Sequence, residues 1–172
     1  MKILGIDPGL SACGYGVIEY SKTTVQCLDY GAIYTKKLPG VPERLEKIFE
    51  EVSEIIRAHK PHFCSIEDIF YHENVNTAII MGHARGVAML AARREKLKIF
   101  EYTPREIKMS ITGNGAASKQ QIQAMVKNLL HLEKMPTPYD AADALAVALC
   151  HYHRNRNVLK IETSTRKKRI RI

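Results

Sequence analysis

Four carboxylates stand out by the company they keep. Asp7 closes the apolar run Leu4-Gly5-Ile6, and Glu67 follows Ser65-Ile66 at the end of another. An unpaired buried carboxylate is costly, so acids set in such runs call for a cation or a hydrogen-bond donor. One such acid is commonly structural; two at the ends of neighbouring strands are harder to dismiss. Asp140 and Asp143 lie three apart in Tyr-Asp-Ala-Ala-Asp-Ala-Leu-Ala and therefore share one helix face. The helix dipole alone would favour Asp140 in a first turn. It explains Asp143, deeper among alanines, less well. Four oxygen donors without a His or Cys cage suit Mg²⁺ or Mn²⁺ rather than Zn²⁺. Two such ions about 3.5–4 Å apart can activate water on one side of a phosphodiester and stabilise the leaving oxygen on the other.

These acids need a scaffold that gathers positions far apart in the chain. Residues 1–7, 14–20 and 24–35 read as three strands joined by short turns, with Pro8-Gly9 stopping the first. Helical spacing of Leu45, Ile48, Phe49, Val52, Ile55 and Ile56 predicts a helix over 42–59. A buried strand follows over 62–70, then a helix over 76–96 and a strand over 98–102. Thr103 and Pro104 open a short helix, Ser118 caps the next, and the last spans 139–153. The pattern predicts a five-stranded mixed α/β sheet with helices on both faces, in one domain over 1–153. Right-handed crossovers place the strand at 62–70 beside and parallel to the first, so the site is expected at their carboxyl ends.

The partner suggested by charge is a polyanion. The chain has 26 Lys plus Arg against 18 Asp plus Glu, a net +8, which favours nucleic acid or an anionic surface without choosing between them. No apolar stretch is long enough for a membrane span, and the amino terminus reads as a strand rather than a leader. Four scattered cysteines, without metal spacing, read as reduced thiols of a cytoplasmic protein. Residues 154–172 form a basic tail, read as flexible, with Arg166, Lys167, Lys168, Arg169 and Arg171 at its end. Arg105, Lys108 and Lys119 flank the loop Thr112-Gly113-Asn114-Gly115-Ala116-Ala117-Ser118, a setting suited to gripping phosphate. Phe70 and Tyr71 follow Glu67; on composition alone they read as packing. Gly82, Ala84, Gly86, Ala88, Ala91 and Ala92 give the second helix a small-residue character, for packing on its own sheet or for a close neighbour. Arg85 could face nucleic acid or its own protein.

Taken in order, Gly5-Ile6-Asp7-Pro8-Gly9, Ile66-Glu67-Asp68-Ile69-Phe70, Gly82-His83-Ala84-Arg85-Gly86 and Asp140-Ala141-Ala142-Asp143-Ala144 resemble the RuvC family of Holliday junction resolvases. The resemblance covers residues 2 to about 153 with the family's spacing; the tail lies outside it. It implies an RNase H-like fold and Mg²⁺-dependent endonuclease action on a four-way DNA junction, in recombination and repair. It also implies a homodimer making paired symmetric nicks, and a branch-migration motor of the RuvA and RuvB type as partner. Asp7, Glu67, Asp140 and Asp143 then correspond to the catalytic, metal-holding acids, with two ions expected. Phe70 would stack on an unpaired base, Lys108 and Lys119 would contact DNA near the cut, and the second helix would form the dimer seam. Three other readings compete. Actin-like ATPases share the Asp-Pro-Gly turn but need a second domain and a second loop. A non-catalytic nucleic-acid-binding module would not need all four acids. An RNA-cutting relative, acting in ribosomal RNA processing, is the nearest rival.

Overall fold

The computed structural model describes residues 1–21, 24–68 and 75–169, with the backbone alone for 156–169. Phe70 and Tyr71 lie outside the described residues. Three strands come first: β1 (Lys2–Asp7), β2 (Ala12–Tyr20) and β3 (Val25–Tyr34). They are followed by α1 (Val41–His59), β4 (Phe63–Glu67), α2 (Val75–Arg94) and β5 (Lys98–Tyr102). The chain then turns helical, through α3 (Pro104–Thr112), α4 (Lys119–Leu129) and α5 (Tyr139–Arg169). The described strands form one sheet in the order β3-β2-β1-β4-β5. β1 is antiparallel to β2 and parallel to β4, and β4 is parallel to β5.

Strand alternation divides the core into two layers and decides where the acids point. Leu4, Ile6, Cys13, Val17, Cys64 and Ile66 face one side, where they pack with Ile48, Val52 and Ile56 of α1 and the alanines of α2. Ile3, Ile18, Tyr20 and Phe63 face the other, against α3, α4 and α5. Successive strand residues face opposite ways, so Asp7 shares the side of Ile3 and Gly5, and Glu67 the side of Phe63 and Ser65. Ile6 pairs with Ile66 across the parallel ladder, which sets the next residues, Asp7 and Glu67, side by side.

That second side carries α5, and three glycines let it come close. A Cβ on Gly5 would lie 2.1 Å from the Ala144 carbonyl oxygen, and one on Gly14 would lie 2.0 Å from that of Asp140. A Cβ on Gly16 would meet Leu145 Cδ2 at 2.7 Å. All three distances are shorter than any real contact, so the backbone of α5 sits directly on β1 and β2. Glycine in a strand interior often marks such an approach. α3 and α4 begin with the expected caps: Thr103 Oγ1 accepts from Glu106 N and Ser118 Oγ from Gln121 N. α5 continues to Arg169, past the end expected near His153. Arg154-Asn155-Arg156-Asn157 is polar but holds no Gly or Pro to stop a helix.

Candidate metal and nucleic-acid site

Asp7 and Glu67 leave the ends of two adjacent parallel strands on one face, and the first turns of α5 are pressed onto that face by the glycine contacts. Asp140 and Asp143 therefore arrive beside them. All four acids line a single cavity of about 430 Å³, together with Lys108 of α3 and Lys119 at the start of α4. The cavity is bordered also by Pro8, Asp68, Met81 and Ile122. Sequence positions from 7 to 143 meet there.

Burial, with neighbouring negative charge, shows in proton affinity. Burial holds the Asp7 carboxyl well above the usual carboxylate range, and the charges of Glu67, Asp143 and Asp140 add to that, as does a hydrogen bond shared with Glu67. Burial also raises Glu67, against the opposing hydrogen bond from Asp7 and the cations Lys119 and Lys108. Asp143 is raised by burial too, with Lys119 pulling the other way. Lys119 Nζ lies 3.5 Å from Asp143 Oδ2, and that carboxylate is the main reason the lysine's pKa is raised. Buried carboxyls set this close together hold protons more tightly than free ones, and a cation among them would offset that. Among the described residues no three acid, His or Cys side chains close on one point as they stand. Asp7 is bonded to Glu67, and Asp143 is turned to Lys119. The donor set is nonetheless all oxygen, concave and electrostatically short of positive charge, which fits a hard divalent ion such as Mg²⁺.

The other expected residues are distributed unevenly. Lys108 and Lys119 border the acids, but Arg105 faces a separate cleft between α3 and α5. Arg85 faces its own protein: its Nη2 lies 3.0 Å from Asp68 Oδ1 and also pairs with Glu101. It thereby ties α2 to the ends of β4 and β5. Sequence reasoning missed this clamp, although an Arg set among small residues and an Asp directly after Glu67 were its signal. It missed the glycine seat under α5 as well, for which Gly14-Tyr15-Gly16 within a strand was the sign. The small-residue helix divides in two. Ala84, Ala88, Ala91 and Ala92 are buried against their own sheet and α1. Gly82 and Gly86 have nothing within 4 Å of a Cβ, and Ile79 and Leu90, spaced to share their helix face, are more than half exposed at 52% and 53%.

Comparison with known proteins bears on this arrangement. A family model described as crossover junction endodeoxyribonuclease RuvC matches residues 3–151. The chain is 52% identical over 153 residues to the protein of that name from Alkaliphilus oremlandii, covering 89% of this chain and 93% of that one. With the same-named protein of Natranaerobius thermophilus it is 48% identical over 151 residues, 88% of this chain and 94% of the relative. Among solved structures, T. thermophilus RuvC in complex with Holliday junction substrate superposes with a TM-score of 0.85 at 30% identity, over 91% of this chain and 95% of that one. The yeast mitochondrial Holliday junction resolvase Ydc2 shares the fold, with a TM-score of 0.65 at 15% identity, over 96% of this chain and 83% of that one. The five-stranded RNase H-like architecture expected from the sequence is the one found.

Proposed function

The chain belongs to the RuvC family of crossover junction endodeoxyribonucleases, and from that premise we propose that it resolves four-way DNA junctions by paired symmetric nicks, hydrolysing phosphodiesters with Mg²⁺. The observation that carries the site assignment is the meeting of Asp7, Glu67, Asp140 and Asp143 with Lys108 and Lys119 in one cavity. Metal dependence is what the family implies; Mg²⁺, with Mn²⁺ able to substitute and two ions per site, is the finer reading. Bound there, the metal would supply an acidified water and positive charge opposite the leaving oxygen.

The chain's own residues do the rest. Asp7, Glu67, Asp140 and Asp143 would hold the metal, and the proton that Asp7 and Glu67 share would leave as they do so. Lys119 pairs with Asp143 at 3.5 Å and, beside an acid that would hold the metal, would be placed to take a DNA phosphate. Lys108, which lines the same cavity, would steady charge on the phosphate under attack. Phe70 would stack on an unpaired base near the junction centre, a contact worth about 1–3 kcal/mol. The open face of α2 around Gly82 and Gly86 would seat the same face of a second copy, giving a two-fold protein for a two-fold substrate. A branch-migration motor of the RuvA and RuvB type would deliver the junction, and a cytoplasmic setting beside the chromosome suits that work. Among the described residues no helix is long and apolar enough to cross a membrane.

Incubation with a synthetic four-way DNA junction, a linear duplex and an RNA hairpin in Mg²⁺ tests this reading. Symmetric cutting of the junction alone is expected; preferential cutting of the hairpin would move the chain to the RNA-processing branch of the fold.

A further inference from the structure

Arg105 stands three residues before Lys108 on α3 yet serves a different surface. It lines a cleft of about 650 Å³ between α3 and α5, with Glu106, Met109, Ser110, His153 and Arg154. We propose that this cleft is a second phosphate site, taking a backbone phosphate of the DNA arm whose scissile phosphate lies in the acid cavity. The proposal rests on the junction-cleaving reading above.

Charge is the first argument. Arg105 and Arg154 bring two permanent cations, and His153 stands beside them. Among the described residues the cleft's one carboxylate, Glu106, is already committed. Its Oε2 accepts from Thr103 N at 2.9 Å and from Thr103 Oγ1 at 3.0 Å, closing the cap of α3. Its Oε1 takes Arg154 Nη1 at 2.6 Å. Among the described residues Arg105 has no carboxylate partner. An exposed cleft with more fixed positive than negative charge is complementary to phosphate, which guanidinium groups grip through paired N–H donors.

Preorganisation is the second. The Arg154 guanidinium carbon lies over the Tyr102 ring, 5.7 Å from its centroid, and the Tyr102 hydroxyl is held 2.8 Å from Nδ1 of the buried His151. Arg105 runs across Gly115, where a Cβ would come within 3.0 Å of its Cγ and 3.4 Å of its Nε. The glycine of the Gly-rich loop thus keeps a lane open for this side chain. His153 Nδ1 lies 3.2 Å from the Ser110 carbonyl oxygen, which fixes the ring at the cleft wall. Side chains placed in advance lose less freedom when the ligand arrives.

Position is the third. α3 presents Pro104, Ile107 and Lys108 to the acid cavity and Arg105, Met109 and Ser110 to the cleft, so a single helix separates the two. A helix is about 10–12 Å across, and a DNA strand rises about 3.4 Å per nucleotide along its axis, with phosphates farther apart along the winding backbone, so the two phosphates would stand no more than about three nucleotides apart.

Junction affinity of the full chain, measured without divalent metal across a salt series, tests the cleft. The proteins are wild type, Arg105→Gln and Arg154→Gln, each with two junctions of unrelated sequence. Both substitutions should weaken binding roughly tenfold near 0.1 M salt and reduce the salt slope by about 0.9, equally for the two sequences, because phosphate contacts carry no sequence information. Arg154 also touches the cap of α3, so circular dichroism accompanies that variant; Arg105 is exposed and makes no such contact. A wild-type slope in Arg105→Gln, or a loss confined to one junction sequence, overturns the cleft as a phosphate site. Failure of the wild type itself to prefer junctions would overturn the proposed function instead.

Discussion

Replacing Gly14 by alanine puts a methyl group where α5 already lies. Its Cβ would stand 2.0 Å from the Asp140 carbonyl oxygen, 2.5 Å from the carbonyl carbon and 3.2 Å from Cα. Comfortable carbon contacts need about 3.5 Å, so the start of α5 must retreat by more than about 1 Å. Overpacking of this kind typically costs about 1–3 kcal/mol, and each kcal/mol lowers Tm by roughly 2–4 °C in a chain of this length. The protein should therefore still fold, with Tm lower by several degrees. Activity should suffer more than stability, because Asp140 and Asp143 ride on the turn that moves. A displacement of about 1 Å at a catalytic group can cost about 100-fold in rate. The assay is single-turnover cleavage of a saturating four-way junction in Mg²⁺, alongside junction affinity measured without metal. Loss of rate with affinity kept within about threefold is the expected outcome. A folded Gly14→Ala protein that cleaves at the wild-type rate would show that the seat of α5 does not set the geometry of the acids.

Asp7→Asn should abolish cleavage while junction binding persists, and it should raise the Tm of the metal-free protein, since it removes the acid most strongly forced to keep its proton; near-normal cleavage would remove Asp7 from the site. Because Asp7, Glu67 and Asp143 are raised in the fold, the native state holds protons that the unfolded chain has released above about pH 4. Metal-free stability should then fall as pH rises from there through the raised values, about 1.4 kcal/mol per tenfold in proton affinity, and Mg²⁺ should restore it at pH 8. A metal-free Tm that instead climbs over that range would contradict the raised proton affinity of these buried acids. Lys119→Ala should lower the salt slope of junction binding by about 0.9, and an unchanged slope would deny it a phosphate contact. Gly86→Leu should give folded monomers in sedimentation and single rather than paired nicks; its Cβ meets nothing within 4 Å, so a folded dimer making symmetric cuts would take this position out of the seam.

Much of the fold could be read from local pattern. Asp7 and Glu67 ended apolar runs, and the crossover rule put those runs in register neighbours, as Ile6 and Ile66 are. Thr103-Pro104 and Ser118 announced their caps. What stayed hidden depended on which faces meet. The small residues of α2 looked like one stripe, but helical phase sends Ala84 and Ala88 inward and leaves Gly82 and Gly86 facing out. Arg105 looked like a companion of Lys108 because sequence distance is short, while α3 turns the two toward different hollows. Gly5, Gly14 and Gly16 gave only a general sign of close approach, because their partner, α5, lies more than a hundred residues away in the chain.

A supercoiled plasmid carrying an extruded cruciform offers the most direct test, since paired nicks across one junction linearise the circle and unpaired nicks only relax it. With Mg²⁺ the wild-type protein should give linear DNA with its ends at the base of the cruciform, and Asp7→Asn, or wild type in excess chelator, should leave the circle supercoiled. Relaxed circles alone, or linear product that persists in chelator, would contradict a metal-dependent, symmetric junction nuclease.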